Sequence, residues 1–238
     1  MAKAVTADVL SKQIKALHGQ LFNAKIHFEI YMGLRESWDK NIREIQNSPV
    51  FWQFTMKGHI DDSISHLCKA YDTHRAALHL SGFLENVARS ASVFCESEFR
   101  RRHKANPHVD SLAKYPRILN LKSLQEDREF CSKSNPLVAN LGRWRNSLVA
   151  HFNYAEAVHG TQPFHQRHPL PYEDIKKLIE AGLTILNRYS SLLDETTYSK
   201  RIASQQGSDY SYVLKSLRLA RFGRRIGMKI LHKLASEE

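Results

Sequence analysis

Apolar residues recur three and four positions apart from Ala7 to Ile45, among them Ile14, Leu17, Leu21, Phe28, Leu34, Trp38 and Ile42. That period belongs to a helix with one buried face, and it predicts one long helix with a break near Gly33. The triplet "NSP" then offers Ser48 as an N-cap and Pro49 at the first helical position, where proline has no N–H to waste. The helix so opened is expected to reach about Asp72, with Phe51, Phe54, Ile60, Ile64, Leu67 and Tyr71 on its buried side. Shorter helices are expected near Leu80–Asn86, Ala91–His103 and Leu121–Cys131, with Pro116 forbidding continuity between the last two. Asn135 and Pro136 repeat the cap-and-proline signal and open a helix to about Tyr154. The prolines of "GTQPFHQRHPLP" predict a loop, and "PYEDIKKLIEAGLTILNRYSSLLDE" a long helix with its acids in the first turn, as the helix dipole prefers. After a hinge at "SQQGSDY" comes a final basic helix.

No segment reads as a credible strand pair, so the pattern predicts an all-α fold. An up-down helical bundle is expected over residues 1–195, with the hinge and a basic amphipathic helix appended over residues 196–238. Composition agrees: 10 glycines and 7 prolines in 238 residues supply few turns, and long helices need few. No apolar run is long enough to span a membrane, and "MAKAVTADVLSKQIKALHG" lacks the apolar core of a secretory signal. Three widely spaced cysteines, Cys68, Cys95 and Cys131, suit a reduced compartment, so a cytoplasmic location is expected. The histidines at 59, 66, 74 and 79, and those at 159, 165 and 168, show no HExxH or paired-cysteine spacing. Neither a metal nor a cofactor is expected.

Charge changes the picture more than composition does. The net charge is +11, and residues 198–238 hold nine Lys and Arg against three acids. A basic balance of this kind favours a polyanionic partner, with nucleic acid first. In the last helix Lys215, Arg218, Arg221 and Arg225 recur at helical spacing beside Val213, Leu217, Ala220 and Ile230. Three readings fit: an arm on the RNA backbone, an anionic membrane surface, or a packing helix with solvated cations.

The sharpest chemistry lies in "NLGRWRNSLVAHFNY", from Asn140 to Tyr154. On an α-helical wheel Leu137, Leu141, Trp144, Leu148 and Phe152 share one apolar stripe of about 80°, and Arg145 falls between that stripe and Val138 and Val149. Asn140, Ser147 and His151 line the opposite edge. A buried guanidinium left unpaired costs several kcal/mol, so Arg145 needs a carboxylate, an anionic ligand or a wet cleft. In one reading it pairs with Asp61, Asp62 or Asp72 and His151 is a satisfied core histidine. In the other, Arg145 and His151 face a phosphate; they stand roughly 9 Å apart along the axis, so the cleft must be wide or a second subunit must help to build it. Spacing alone decides nothing, because arginine followed at this distance by histidine recurs at Arg101, Arg102 and Arg225. Only Arg145 is mid-helix beside a buried stripe and followed by a polar residue, Asn146.

That combination, Arg-Asn-x4-His on a late helix of an all-α chain, resembles the HEPN superfamily. The segment "FNAKIHFEIYMGLRESWDKNI", with "NSPVFWQFTMKGHIDDSISHLCKAYD" after it, resembles the opening helices of the abortive-infection branch of that superfamily. Together the likeness spans about residues 8–195. It implies a HEPN-like bundle and a metal-independent endoribonuclease of toxin or phage-defence type, acting as a homodimer with both motifs in one composite cleft. Arg145 would hold the scissile phosphate, His151 would move the proton of the 2′-hydroxyl or the 5′-oxygen, and Asn146 would orient the site. The product would be a 2′,3′-cyclic phosphate. Supporting roles would fall to Asn140, Ser147, Tyr154 and Asp72, and RNA contacts to Arg143 and the cations of the last helix. Tyrosine stands three residues after the histidine, not two as in some HEPN nucleases. RNA, a second copy and a cognate antitoxin protein are the implied partners. The alternative is a non-catalytic HEPN module that binds RNA or a partner protein.

Overall fold

The computed structural model describes residues 4–115, 117–149, 154–199 and 209–234; within them, the side chains of Val149, Ala155, Glu156, Arg224, Arg225 and residues 227–234 lie outside the description. Among the described residues the chain is all-α, with no strand. Helices α1 (Ala7–Ser37), α2 (Ile42–Ile45) and α3 (Pro49–Ala70) come first, followed by α4 (Leu80–Arg89), α5 (Glu96–Arg102), α6 (Val109–Leu112) and α7 (Leu121–Phe130). Then come α8 (Pro136–Trp144), α9 (Tyr154–His159), α10 (Gln162–Arg167), α11 (Tyr172–Asp194) and α12 (Asp209–Leu234). The chain divides into two compact units, one of Met1–Lys25 with Ser63–Lys200, the other of Ile26–Asp62 with Arg201–Glu238. The second unit thus joins the C-terminal helix to the inner parts of α1 and α3, elements far away in sequence.

In the first unit, the N-terminal turns of α1 bury Leu10, Ile14, Leu17 and Leu21, and α11 buries Ile175, Leu178, Leu186 and Leu193. The end of α3 lies against both. Ser63 Oγ donates to the Ala24 carbonyl at 2.8 Å, and the Tyr71 hydroxyl donates to the Leu178 carbonyl at 2.6 Å. Gly182 is required at this crossing, since a Cβ there would stand 2.7 Å from Leu21 Cδ1. Arg117 closes the far end of α11. Its guanidinium donates to the carbonyls of Leu192 (2.9 Å), Ser191 (3.2 Å) and Leu112 (3.0 Å), meets Glu195 at 2.6 Å, and lies 3.4 Å from the Phe99 ring centre. Ser191 and Leu192 lie in the last turn of α11, where carbonyls run short of intrahelical donors, although Ser191 also accepts the Glu195 N–H at 3.0 Å.

In the second unit, Leu34, Ile45, Trp52 and Leu214 form one buried cluster, with Ile30, Trp38, Met56 and Tyr210 packed against it. Three expectations are corrected here and beside it. Helix α1 does not break at Gly33 but runs through it to Ser37. That glycine admits Tyr210, whose ring and hydroxyl would collide with a Cβ. Phe51 and Phe54 are exposed and Trp52 is buried in their place. At about 100° per residue Trp52 shares a face with Met56, whereas Phe51 and Phe54 fall on the far side. The segment expected as a loop contains α10, because Pro163 sits in its first turn, where a missing N–H breaks no bond.

Caps follow the local signals. The Asn135 side chain accepts the Leu137 N–H at 2.9 Å with Pro136 behind it, and Asn120 caps α7 in the same way. His79 caps α4 less obviously: its Nδ1 accepts the Gly82 N–H at 3.0 Å, which requires an unprotonated nitrogen. Burial lowers the pKa of His79, and likewise of His18 and His59, below the ordinary histidine value. As pH falls through about 6.5, the unfolded chain takes up these protons before the folded one, so stability declines. Urea midpoints are expected to drop between about pH 7 and pH 5, and His79→Asn, which keeps a cap that does not titrate, should flatten part of the drop. A midpoint that rises on acidification would contradict this account.

Candidate active site

The site grows from the end of α8. That helix runs as a regular α-helix to Trp144 and then widens into a π-helical turn over Arg145–Val149. A π-turn inserts extra backbone and rotates every later side chain relative to an α-helical wheel, and such turns favour functional positions. The wheel expected from sequence therefore holds only as far as Trp144. Val138 and Leu141 are fully buried, while Leu137, Trp144 and Leu148 are half-buried. Two side chains anchor α8 to the segment after α10: Asn140 Nδ2 donates to the Pro169 carbonyl at 2.7 Å, and Trp144 Nε1 to the His168 carbonyl at 2.8 Å. Asn140 thus holds the scaffold.

Arg145 meets Asp72, its Nη1 lying 3.2 Å from Oδ1. Of the three acids that sequence offered, Asp61 pairs with Lys57 and Asp62 lies 3.8 Å from His27. Asp72 sits just beyond the end of α3, and its Oδ1 also accepts the N–H groups of Thr73 (2.6 Å) and His74 (2.9 Å). The carboxylate is nearly buried at 12% exposure, while the arginine keeps 33% of its side chain open. The guanidinium is held at Nη1 and the side chain stays partly open.

It faces a pocket of about 330 Å³. Arg143, Arg145, Asn146 and Asp72 line it, together with Lys133, Thr73 and a floor of Cys68, Tyr71, Val138 and Leu141. Arg145 Nη1 reaches Asn146 Oδ1 at the long limit of 3.5 Å. Lys133 was not foreseen; its signal was only a cation two residues before the Asn135 cap. Three cations against one carboxylate make this pocket suited to an anion. Cys68 is no nucleophile there, since burial pushes its thiol up to about 12 and keeps it protonated.

His151 lies outside the described residues. Ser147 is half-buried, and Tyr154 is 80% exposed at the start of α9. In the second unit, Arg218 donates to Asn41 Oδ1 at 2.7 Å, and Arg218 and Arg221 flank the buried Glu44 at 3.9 and 3.5 Å. Lys215 stays exposed, 5.8 Å from the Tyr212 ring centre, and the Arg225 side chain lies outside the described residues. Among the described residues no group of three or more His, Cys, Asp or Glu is arranged to hold a metal ion.

One family model, described as AbiU2 (HEPN_AbiU2), matches residues 8–213, well over half of the chain. No curated protein and no solved structure matches it.

Proposed function

This chain belongs to the HEPN_AbiU2 family, and we propose that it is a metal-independent endoribonuclease of toxin or phage-defence type. The observation that carries the reading is Arg145: a guanidinium paired with Asp72, one-third exposed, lining a cationic pocket and standing six residues before His151 in the sequence. A phosphodiester fits that edge, because arginine stays charged and offers paired donors to phosphate oxygens. Histidine is the side chain whose ordinary titration lies closest to neutral pH, and proton transfer is the role His151 would take. The 2′-hydroxyl loses its proton to one imidazole, O2′ attacks phosphorus, and the P–O5′ bond breaks as the 5′-oxygen gains a proton. A 2′,3′-cyclic phosphate and a free 5′-hydroxyl result. Two copies in a composite cleft supply two histidines, one for each proton transfer, and Asn146 orients the site or its backbone. A cognate antitoxin would restrain the activity.

The Asp72 pairing also favours a second reading, in which Arg145 is a structural cation in a module that binds RNA or a protein without cutting. Incubation with total RNA in EDTA separates the two readings. Cleavage to cyclic-phosphate ends supports the first; intact RNA under every condition leaves only the second.

Asp72 gives a finer test. Asp72→Asn keeps an oxygen for the N–H groups of Thr73 and His74 but removes the charge that competes with phosphate. It is expected to bind a 2′-O-methyl RNA at least as tightly as wild type in filter binding. Asp72→Ala loses the turn as well and should cleave roughly tenfold more slowly, as misplacement of a catalytic group does. Weaker RNA binding by Asp72→Asn would assign the carboxylate a different role.

A further inference from the structure

Helix α12 turns its apolar side outward. Its inner side is defined by buried Leu214 and by Tyr210, both packed with Leu34, Ile45 and Trp52. Arg218 and Arg221 lie on this inner side too, engaged by Asn41 and Glu44. At about 100° per residue, Tyr212, Lys215, Leu219, Phe222 and Ile226 fall within roughly 80° of one another, centred about 120° from Leu214. Their exposure agrees with that geometry: Leu219 is 71% exposed, Phe222 65%, Tyr212 62% and Ile226 45%. A single exposed leucine means nothing, but four large apolar side chains in one stripe mark a surface that meets something.

The charge of the helix says what it meets. Between Asp209 and Leu234 there are seven Lys and Arg residues and one acid, Asp209. A second copy would bring the same cations against these and is repelled. RNA would supply the anions, but Leu219 and Ile226 offer no ring for a base to stack on. An anionic bilayer supplies both halves at once, an apolar layer beneath and negative headgroups beside it. Tyr212 and Phe222 suit the boundary between the two. We infer that α12 docks on an anionic lipid surface, with Tyr212, Leu219, Phe222 and Ile226 entering the headgroup boundary. Docking is peripheral, because among the described residues no helix is long and apolar enough to cross a membrane. The inference does not depend on ribonuclease activity.

Co-sedimentation of the full chain with phosphatidylcholine vesicles, with and without phosphatidylglycerol, tests it. Binding is expected only with phosphatidylglycerol, and should weaken as salt is raised. The double variant Leu219→Glu, Phe222→Glu should lose at least about tenfold in affinity. Leu219→Ser with Phe222→Ser should lose binding in the same direction without adding charge. Both variants should melt as wild type does, since the replaced side chains face solvent. Equal binding by wild type and variants, or equal binding to neutral vesicles, overturns the inference. So does a wild type that ignores vesicles while the variant loses a dimer in sedimentation velocity, which would make the stripe a protein interface. Loss of RNA binding in the variant with vesicle binding intact would assign the stripe to nucleic acid instead.

Discussion

Arg145→Ala is expected to cleave RNA at least about a hundredfold more slowly than wild type, as loss of one group that stabilises developing charge commonly does. The effect should appear in EDTA and in kcat, because the guanidinium meets the phosphate most strongly when its negative charge grows in the transition state. Stability should barely change. Arg145 is one-third open, and the Asp72 carboxylate it leaves behind keeps the N–H groups of Thr73 and His74. His151→Ala should fall by a similar factor, roughly 10² to 10⁴, if it carries the proton. The assay is end-group analysis of RNA products at matched protein concentration, beside a thermal melt of each variant. Cleavage that persists undiminished in both variants would show that a contaminant or another site cuts the RNA.

The largest expected loss of stability comes from a residue with no part in the chemistry. Arg117→Ala should destabilise the chain by about 3–5 kcal/mol, the usual cost of breaking a buried charged network. For a chain of this size that corresponds to a fall of roughly 10 °C in the melting midpoint. The substitution takes the guanidinium donors from the Ser191 and Leu192 carbonyls at the end of α11, removes the partner of Glu195, and opens a gap beside Phe99. Arg101→Ala is the control: that arginine is exposed beside Glu98, and its loss should leave the midpoint where it was. Equal melting of Arg117→Ala and wild type in calorimetry would remove Arg117 from its capping role.

How far these features could be read in advance depends on how local they are. The long helices follow from a repeated spacing, and Asn135 with Pro136 marks a start that the structure reproduces. Pro163 misled because a proline forbids the interior of a helix but suits its first turn. Phe51 and Phe54 are as apolar as Trp52, but helix register turns Trp52 to the core and the two phenylalanines to solvent. The odd polarity of Arg145 was visible, and so were its three possible partners. The π-turn that carries it left no mark in residue type.

Local patterning is enough to show the all-α class of the described residues, where most of their helices begin, and that a guanidinium stands beside an apolar stripe. Each of these follows from contacts within a few residues: backbone caps, the helical period, and the φ of proline. Packing between distant segments is what selects Asp72, not Asp61 or Asp62, for Arg145, and what turns Leu219 and Phe222 of α12 to solvent and Arg218 and Arg221 toward Glu44. Those choices depend on which distant segments pack together and which helix face each one covers. No local spacing records that, because residues 72 and 145, or 44 and 221, meet only after the chain has folded.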